Sequence, residues 1–357
     1  MKIELFEPYL AKEKGFFSYL FRELIRYKNA SLVSEPRPLP RLVKPREHSS
    51  AWARFDGHLV FFDLSDHVFF YDAEALKQCV VYFKANLNRG IARKALEKDG
   101  CQVHESKILP FVWFAPNLAA YRPDSLLNRI MFLGIKPVYD VCHVVGVYDN
   151  YLAKSEGSIF VSDGLPVDPA RYHFWMRYHV QKALKDAGIS GYYRLTSRGN
   201  RNIEDNRIIF PNLSERKFMR AIIKSRFTMI NTLPHALLPW KASESLMLGR
   251  PFIVERSSLV EMPETFQLRP NVHYLEMFPG FGDFDDNADL KDPHSYRILD
   301  HLHLDQLREG AERIAVAVRD RALVEFMTKQ VRQYAAKNLT PGFVADYICC
   351  QVEKRIH

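Results

Sequence analysis

Apolar positions along this chain follow two rhythms: short unbroken runs, and longer stretches with a spacing of three and four. Ile3 to Phe6 reads as a first strand. Gly15 leads into residues 16–25, where apolar side chains at 17, 20, 21, 24 and 25 predict a helical face. The proline-rich run Pro36 to Pro45 is irregular, because proline fits the interior of neither element. Strands are predicted at His58 to Phe62, Cys79 to Phe83 and Leu109 to Phe114, with the clearest helix between them at Ala85 to Asp99. Strand and helix in turn, with nearly continuous apolar strands, predict a parallel sheet covered on both faces.

A second cycle opens near Lys136. Tyr139 to Val147 reads as a strand, and Asp168 to Gly188 as a long helix with Pro169 in its first turn. Strands follow at Gly191 to Leu195 and Arg207 to Phe210. A helix from Ser214 to Lys224 has a serine suited to its N-cap and Glu215 suited to its positive end. Phe227 to Ile230 is strand-like, Lys241 to Leu248 is helical and stops at Gly249, and Pro251 to Val254 is a further strand. The remainder is helical, over Leu304 to Val318, Arg321 to Lys337, and Thr340-Pro341 through Ile348. The expected organisation is an N-terminal domain over 1–135, a second over 136–320, and helices over 321–357 that pack back across the cleft.

The 357-residue length fits two domains of moderate size, and 47% hydrophobic content is enough for sizeable cores. No apolar stretch approaches the roughly 20 residues a membrane span needs, and Glu4, Glu7 and Pro8 spoil a signal-peptide layout. A cytoplasmic protein is expected. The five cysteines (Cys79, Cys101, Cys142, Cys349 and Cys350) have no zinc-module spacing, and disulfides are not expected. A net charge of +8 suits a phosphorylated donor or an acidic membrane surface. The charges are interleaved rather than clustered in a tail or an aromatic-basic stripe, so a nucleic-acid partner is not expected.

Chemistry concentrates in residues 206–255. In doubly wound folds, ligands bind beyond the carboxyl ends of strands, where helix N-termini offer free N–H groups to phosphates. Lys241-Ala242-Ser243-Glu244 opens a helix in that position. Lys241 would meet a phosphate, Ser243 would donate to one, and Glu244 would accept from ribose or sugar hydroxyls. A departing diphosphate can be stabilised in this way without a metal. A plainer role fits the same residues: Lys241 solvated, and Glu244 favouring the first turn through the helix dipole.

Ile208-Ile209-Phe210, Leu213-Ser214-Glu215, Phe227 to Ile230 and then Glu244-Ser245-Leu246-Met247-Leu248-Gly249-Arg250-Pro251-Phe252-Ile253 resemble the donor-binding half of GT-B glycosyltransferases. The resemblance covers about 140–348. Glu244 and Gly249 match the glutamate and glycine of that family's pattern. It implies an α/β fold of two Rossmann-like domains with a facing cleft, and a nucleoside diphosphate lying in that cleft. It also implies transfer from a nucleotide-sugar to a carbohydrate or lipid-linked saccharide acceptor, as in surface polysaccharide or lipopolysaccharide synthesis. The nucleotide-sugar is a substrate, and no cofactor or metal is expected. Many retaining members carry a second glutamate eight positions before the first; here Ala236 stands there beside His235, a substitute near the sugar. Similar enzymes often carry a basic residue in the loop after the Gly191 strand, which points to Arg194 and Arg198, with Arg201 nearby.

If the reaction inverts, an N-terminal base must take the acceptor proton. Asp63, Asp66 and His67, after the strand His58 to Phe62, are the candidates, and they also fit a loop of capping and solvated groups. Lys84 is another candidate cleft charge, and Gly15 would let the acceptor approach. His301 and His303 mark a turn, His173 and His179 share no metal face, and residues 280–286 lack a calcium-loop pattern. Rival readings are a sugar-nucleotide epimerase or phosphorylase, and a noncatalytic nucleotide- or carbohydrate-binding protein. Basic and aromatic surface groups would allow peripheral contact with an anionic membrane.

Overall fold

The computed structural model describes residues 1–6, 16–33, 50–64, 71–111, 135–147, 169–197, 209–210, 213–232, 239–255, 261–278 and 304–357. Two six-stranded sheets organise these residues. The first contains β1 (Ile3–Phe6), β2 (Ser31–Val33), β3 (Ser50–Phe55), β4 (His58–Asp63), β5 (Val81–Lys84) and β6 (Ile108–Pro110). Its helices are α1 (Phe16–Lys28), α2 (Ala73–Gln78) and α3 (Arg89–Lys98). The second contains β7 (Tyr139–Val147), β8 (Gly191–Ser197), β9 (Ile209–Phe210), β10 (Ser225–Ile230), β11 (Phe252–Val254) and β12 (Tyr274–Glu276). With it come α4 (Pro169–Asp186), α5 (Glu215–Ile223) and α6 (Trp240–Met247), followed by α7 (Leu304–Arg319), α8 (Arg321–Asn338) and α9 (Pro341–Ile356).

The first sheet runs β2-β1-β3-β4-β5-β6 and is mixed, which corrects the expectation of parallel strands. β3 is antiparallel to both β1 and β4. The cause is local: Asp56 and Gly57, between β3 and β4, both take positive φ, 44° and 87°. Two such residues in a two-residue loop match the twist of a tight hairpin, and Asp-Gly favours that turn. β2, β3, α2 and β12 were not anticipated by pattern. Where the expected strand Leu109 to Phe114 was placed, β6 is described only to Pro110, and residues 112–114 lie outside the described residues.

All pairings in the second sheet are parallel, in the order β12-β11-β10-β7-β8-β9. Counted from β7, this is the 3-2-1-4-5-6 order of dinucleotide-type sheets, read from the far edge. The chain direction across the sheet reverses between β7 and β10. Buried Val141, Phe227, Met229 and Ile253 face α4, α7 and α8, while Cys142, Ile230, Phe252 and Val254 face α5, α6 and the other side of α8. Alternation along each strand thus feeds two cores, and each large side chain fully buried there contributes on the order of 1.5–3 kcal/mol.

Sequence-coded caps fix the helix ends. Asp72, Asn88, Asp320 and Thr340 each accept from a backbone N–H in the first turn of α2, α3, α8 and α9. Ser214 occupies the N-cap of α5 without a side-chain cap bond. Gly249 closes α6 at φ 68°, a region costly for other residues. α9 runs to Ile356, beyond the predicted end at Ile348. Its Val344, Ala345, Ile348 and Val352 are buried in the same cluster as Phe21, Phe62 and Phe83 of the first sheet and α1. Tyr347 Oη donates to the Pro110 carbonyl at 2.8 Å. α8, by contrast, gives its buried face to the second sheet. No helix among the described residues is long and apolar enough to cross a membrane.

Candidate functional site

The strand order reverses between β7 and β10, and in open α/β sheets ligands usually bind beyond the carboxyl ends of the strands at such a reversal. Three strands each contribute one polar residue on the face toward α4, one midway along β7 and two at the carboxyl ends of β10 and β11. His143 lies in β7, Asn231 directly follows β10, and Glu255 directly follows β11. His143 Nε2 lies 2.8 Å from Asn231 Oδ1, across the reversal itself. Asn231 Nδ2 donates to Glu255 Oε1, and the Thr232 N–H donates to Glu255 Oε2. Thr232 Oγ1 adds a bond to Glu255 Oε2 at 3.1 Å.

This chain of contacts assigns its own protons. Glu255 takes the amide N–H of Asn231, so Asn231 Oδ1 faces His143 and His143 carries its proton on Nε2. Nδ1 of His143 is then the acceptor nitrogen, and it is buried without a hydrogen-bond partner. Burial lowers the His143 pKa to about 3, outweighing the Asn231 contact that favours the charged form. Nearby Lys241 and Arg177 push in the same direction as burial. The imidazole is therefore neutral at physiological pH. Gln181 of α4 holds the His143 carbonyl at 3.3 Å.

Lys241, the second residue of α6, donates from Nζ to the Val144 carbonyl of β7 and lies 5.7 Å from the Phe218 ring centroid. Arg177 of α4 donates to the carbonyl of Gly146, the penultimate residue of β7. Two cations thus sit on the carbonyls that end β7, at the same edge as Asn231 and Glu255. Ser243 is buried and Glu244 half-buried within α6. Arg194 lies within β8, opposite Val144 in register, with its guanidinium 5.2 Å from the Tyr192 ring. β8 extends to Ser197, so Arg194 lies within the strand, inside the predicted span Gly191 to Leu195, and not in the loop beyond it for which it was a candidate. The structure brings Lys241 to the carboxyl end of β7 and leaves Arg194 one strand away.

In the first sheet, Asp63 and Lys84 end adjacent parallel strands in register. Both are buried, with Lys84 Nζ 2.8 Å from Asp63 Oδ2. Tyr82 Oη donates to the same oxygen at 2.8 Å and accepts from the Asp72 N–H at 3.2 Å. The Tyr71 ring lies 5.5 Å from Lys84 Nζ, and its own buried hydroxyl lacks a hydrogen-bond partner. Asp63 is thus buried against Lys84 and Tyr82 instead of lining an open groove.

Asp66, His67, Arg198 and His235 lie outside the described residues, as do Gly15, Arg201, residues 280–286, His301 and His303. Among the described residues, no group of three metal-ligating side chains occurs. A scan against protein-family models and a search of curated proteins both find no match. His143, Asn231 and Glu255 escaped the sequence reading. Their signal was available: each is a polar residue in, or one step beyond, the apolar run of a strand in a parallel sheet.

Proposed function

We propose that the carboxyl-end crevice of the second sheet binds a nucleoside diphosphate carrying a sugar, and that the chain transfers this sugar to a carbohydrate acceptor. One observation carries the nucleotide half: the 3-2-1-4-5-6 parallel order with the polar chain His143–Asn231–Glu255 across its reversal. Glu255 and Asn231 stiffen the strand ends, and Lys241 supplies a cation at the start of α6, where a diphosphate also meets unpaired N–H groups. The sugar-transfer half rests on the resemblance of residues 244–253 to GT-B donor sites. In this reading Lys241 exchanges the Val144 carbonyl for a phosphate oxygen and stabilises the charge that develops as the diphosphate departs. Glu244 accepts from ribose or sugar hydroxyls. The first sheet would face the acceptor in a two-domain cleft, in a cytoplasmic protein working at the inner membrane face.

Calorimetric titration with nucleoside diphosphates and their sugar conjugates tests the reading. Selective binding of one base is expected, and Lys241→Ala should weaken it about tenfold or more, the worth of one charge-assisted contact. Absence of binding by the whole panel, or equal affinity in Lys241→Ala and Glu244→Ala, removes the donor site. A second reading, nucleotide binding without turnover, is favoured by the enclosure of Asp63, which withholds one expected base from solvent. Labelled donor incubated with a panel of saccharide acceptors separates the two: transferred label supports the enzyme, and binding without transfer supports the binding protein.

A further inference from the structure

The opposite edge of the second sheet holds a cavity of about 560 Å³, within the usual size range of small-molecule sites. Pro137 precedes β7, Arg226 is the second residue of β10 and Arg250 precedes β11, so these three lining residues sit at the amino ends of the strands. One face of α8 forms the other wall, with Arg321, Lys329, Arg332 and Glu325. The cavity is therefore separated from Asn231 and Glu255 by the length of the strands.

Its charge is one-sided. Arg226 is answered by Asp140 at 3.1 Å and also donates to the Val318 carbonyl at 3.1 Å. Arg250, Arg321, Lys329 and Arg332 have no carboxylate within ion-pair distance among the described residues. Glu325 is the one acidic side chain among the described residues of the lining. Arg250 is only 4% exposed; its Nη2 reaches the Ile223 carbonyl at 2.6 Å, yet its Nε has no partner. A buried guanidinium with an unmet donor is costly unless an anion completes it. Burial, and then the adjacent Arg332, lower the Arg250 pKa to about 10. Partial desolvation lowers the Arg332 pKa as well, although much of its side chain is exposed.

The geometry points to a second ligand site here, for a small phosphorylated anion with at least two phosphate groups, bound by Arg250, Arg332, Arg321 and Lys329. Planar guanidinium forks match phosphate oxygens bidentately, and a single phosphate would leave part of this cation set unmatched. The site is independent of the donor reading, because it uses none of the same side chains and lies at the other sheet edge.

The test is calorimetry of the full chain with inorganic phosphate, pyrophosphate and tripolyphosphate, at ionic strength held constant with sodium chloride. Pyrophosphate and tripolyphosphate should bind more tightly than phosphate, with Arg332→Gln and Lys329→Gln each weakening pyrophosphate about tenfold. Both residues are on the exposed face of α8, so these variants should fold. Arg308→Gln, on α7 and outside the cavity, should bind as the native protein does. Equal affinity in native, Arg332→Gln and Lys329→Gln proteins overturns the proposal. So does loss of pyrophosphate binding in Lys241→Ala alone, which would put the anion at the donor edge. Binding only to vesicles of phosphatidylcholine with a phosphoinositide, and to none of the soluble anions, overturns it in favour of a lipid headgroup site.

Discussion

Replacing Lys84 by methionine removes a cation that is completely buried and leaves Asp63 enclosed with the Tyr82 hydroxyl at 2.8 Å. Breaking a buried pair by deleting one partner costs about 3–5 kcal/mol, because the remaining charge has lost both water and its counter-ion. Asp63→Leu should cost a similar amount for the mirror reason. The double variant Asp63→Leu/Lys84→Met exchanges the pair for apolar groups of comparable reach and should lie near the native stability. The two changes should therefore be strongly non-additive. A chain with two sheets need not unfold in one step, so the readout is local: amide exchange of peptides spanning β4 and β5. Each single variant should speed exchange there by roughly two to four orders of magnitude, while peptides from β10 and β11 stay unchanged. The reasoning fails if either single variant keeps native protection, or if the double variant is as unprotected as the worse single one. A stable double variant also gives a clean assay of Asp63 as acceptor base: retained transfer would eliminate that role.

Further outcomes follow from single residues. His143 has a folded pKa of about 3 against an ordinary value of 6.5. Above pH 6.5 this group adds no pH dependence; below it the unfolded chain takes a proton that the native state refuses, so stability falls by up to about 1.4 kcal/mol per pH unit toward pH 3. The His143 ring resonances should stay those of a neutral imidazole from pH 7 to 4.5, and a titration midpoint above 5.5 would refute the assignment. Gly249→Ala should cost about 1–2 kcal/mol by thermal unfolding, since its φ is 68° and a Cβ would lie 3.0 Å from Arg332 Cγ; an unchanged melting temperature would refute it. Thr340→Ala should lose about 1 kcal/mol through the cap of α9, seen as faster exchange in residues 341–348, and unaltered exchange would count against the cap.

The second sheet was largely legible because its strands are buried on both faces and read as apolar runs: β7, β10 and β11 each fall where the pattern put them. The first sheet was less so. Asp56-Gly57 is a strong local hairpin signal, but β3 is the alternating Ser-Ala-Trp-Ala-Arg-Phe, which an eye set for continuous apolar runs passes over. β12 was missed because three residues carry almost no periodicity. At the candidate site the sequence pointed to the start of α6, where charged residues follow a proline-containing loop. It did not point to Asn231 and Glu255. Their roles come from pairing between strands 24 residues apart in the chain, which no local window records.

Three polar clusters stand out among the described residues, and the completeness of their internal bonding separates what each can do. Asp63 and Lys84 answer each other, with Tyr82 oriented by the Asp72 N–H; such a pair fixes the register of β4 against β5 and has little capacity for a ligand. At the carboxyl edge of the second sheet, Glu255 is answered by Asn231 and Thr232, and Asn231 in turn by His143. That cluster is a support for the strand ends, and the groups able to move toward a ligand are those resting on backbone carbonyls, Lys241 above all. A carbonyl is a weaker partner for a cation than a phosphate oxygen, so exchanging one for the other favours binding. At the amino edge the order reverses: Arg250 keeps a donor unmet beside Arg332, with too few carboxylates to balance either. Protein groups alone complete the first cluster, nearly complete the second, and leave the third to be completed by an anion.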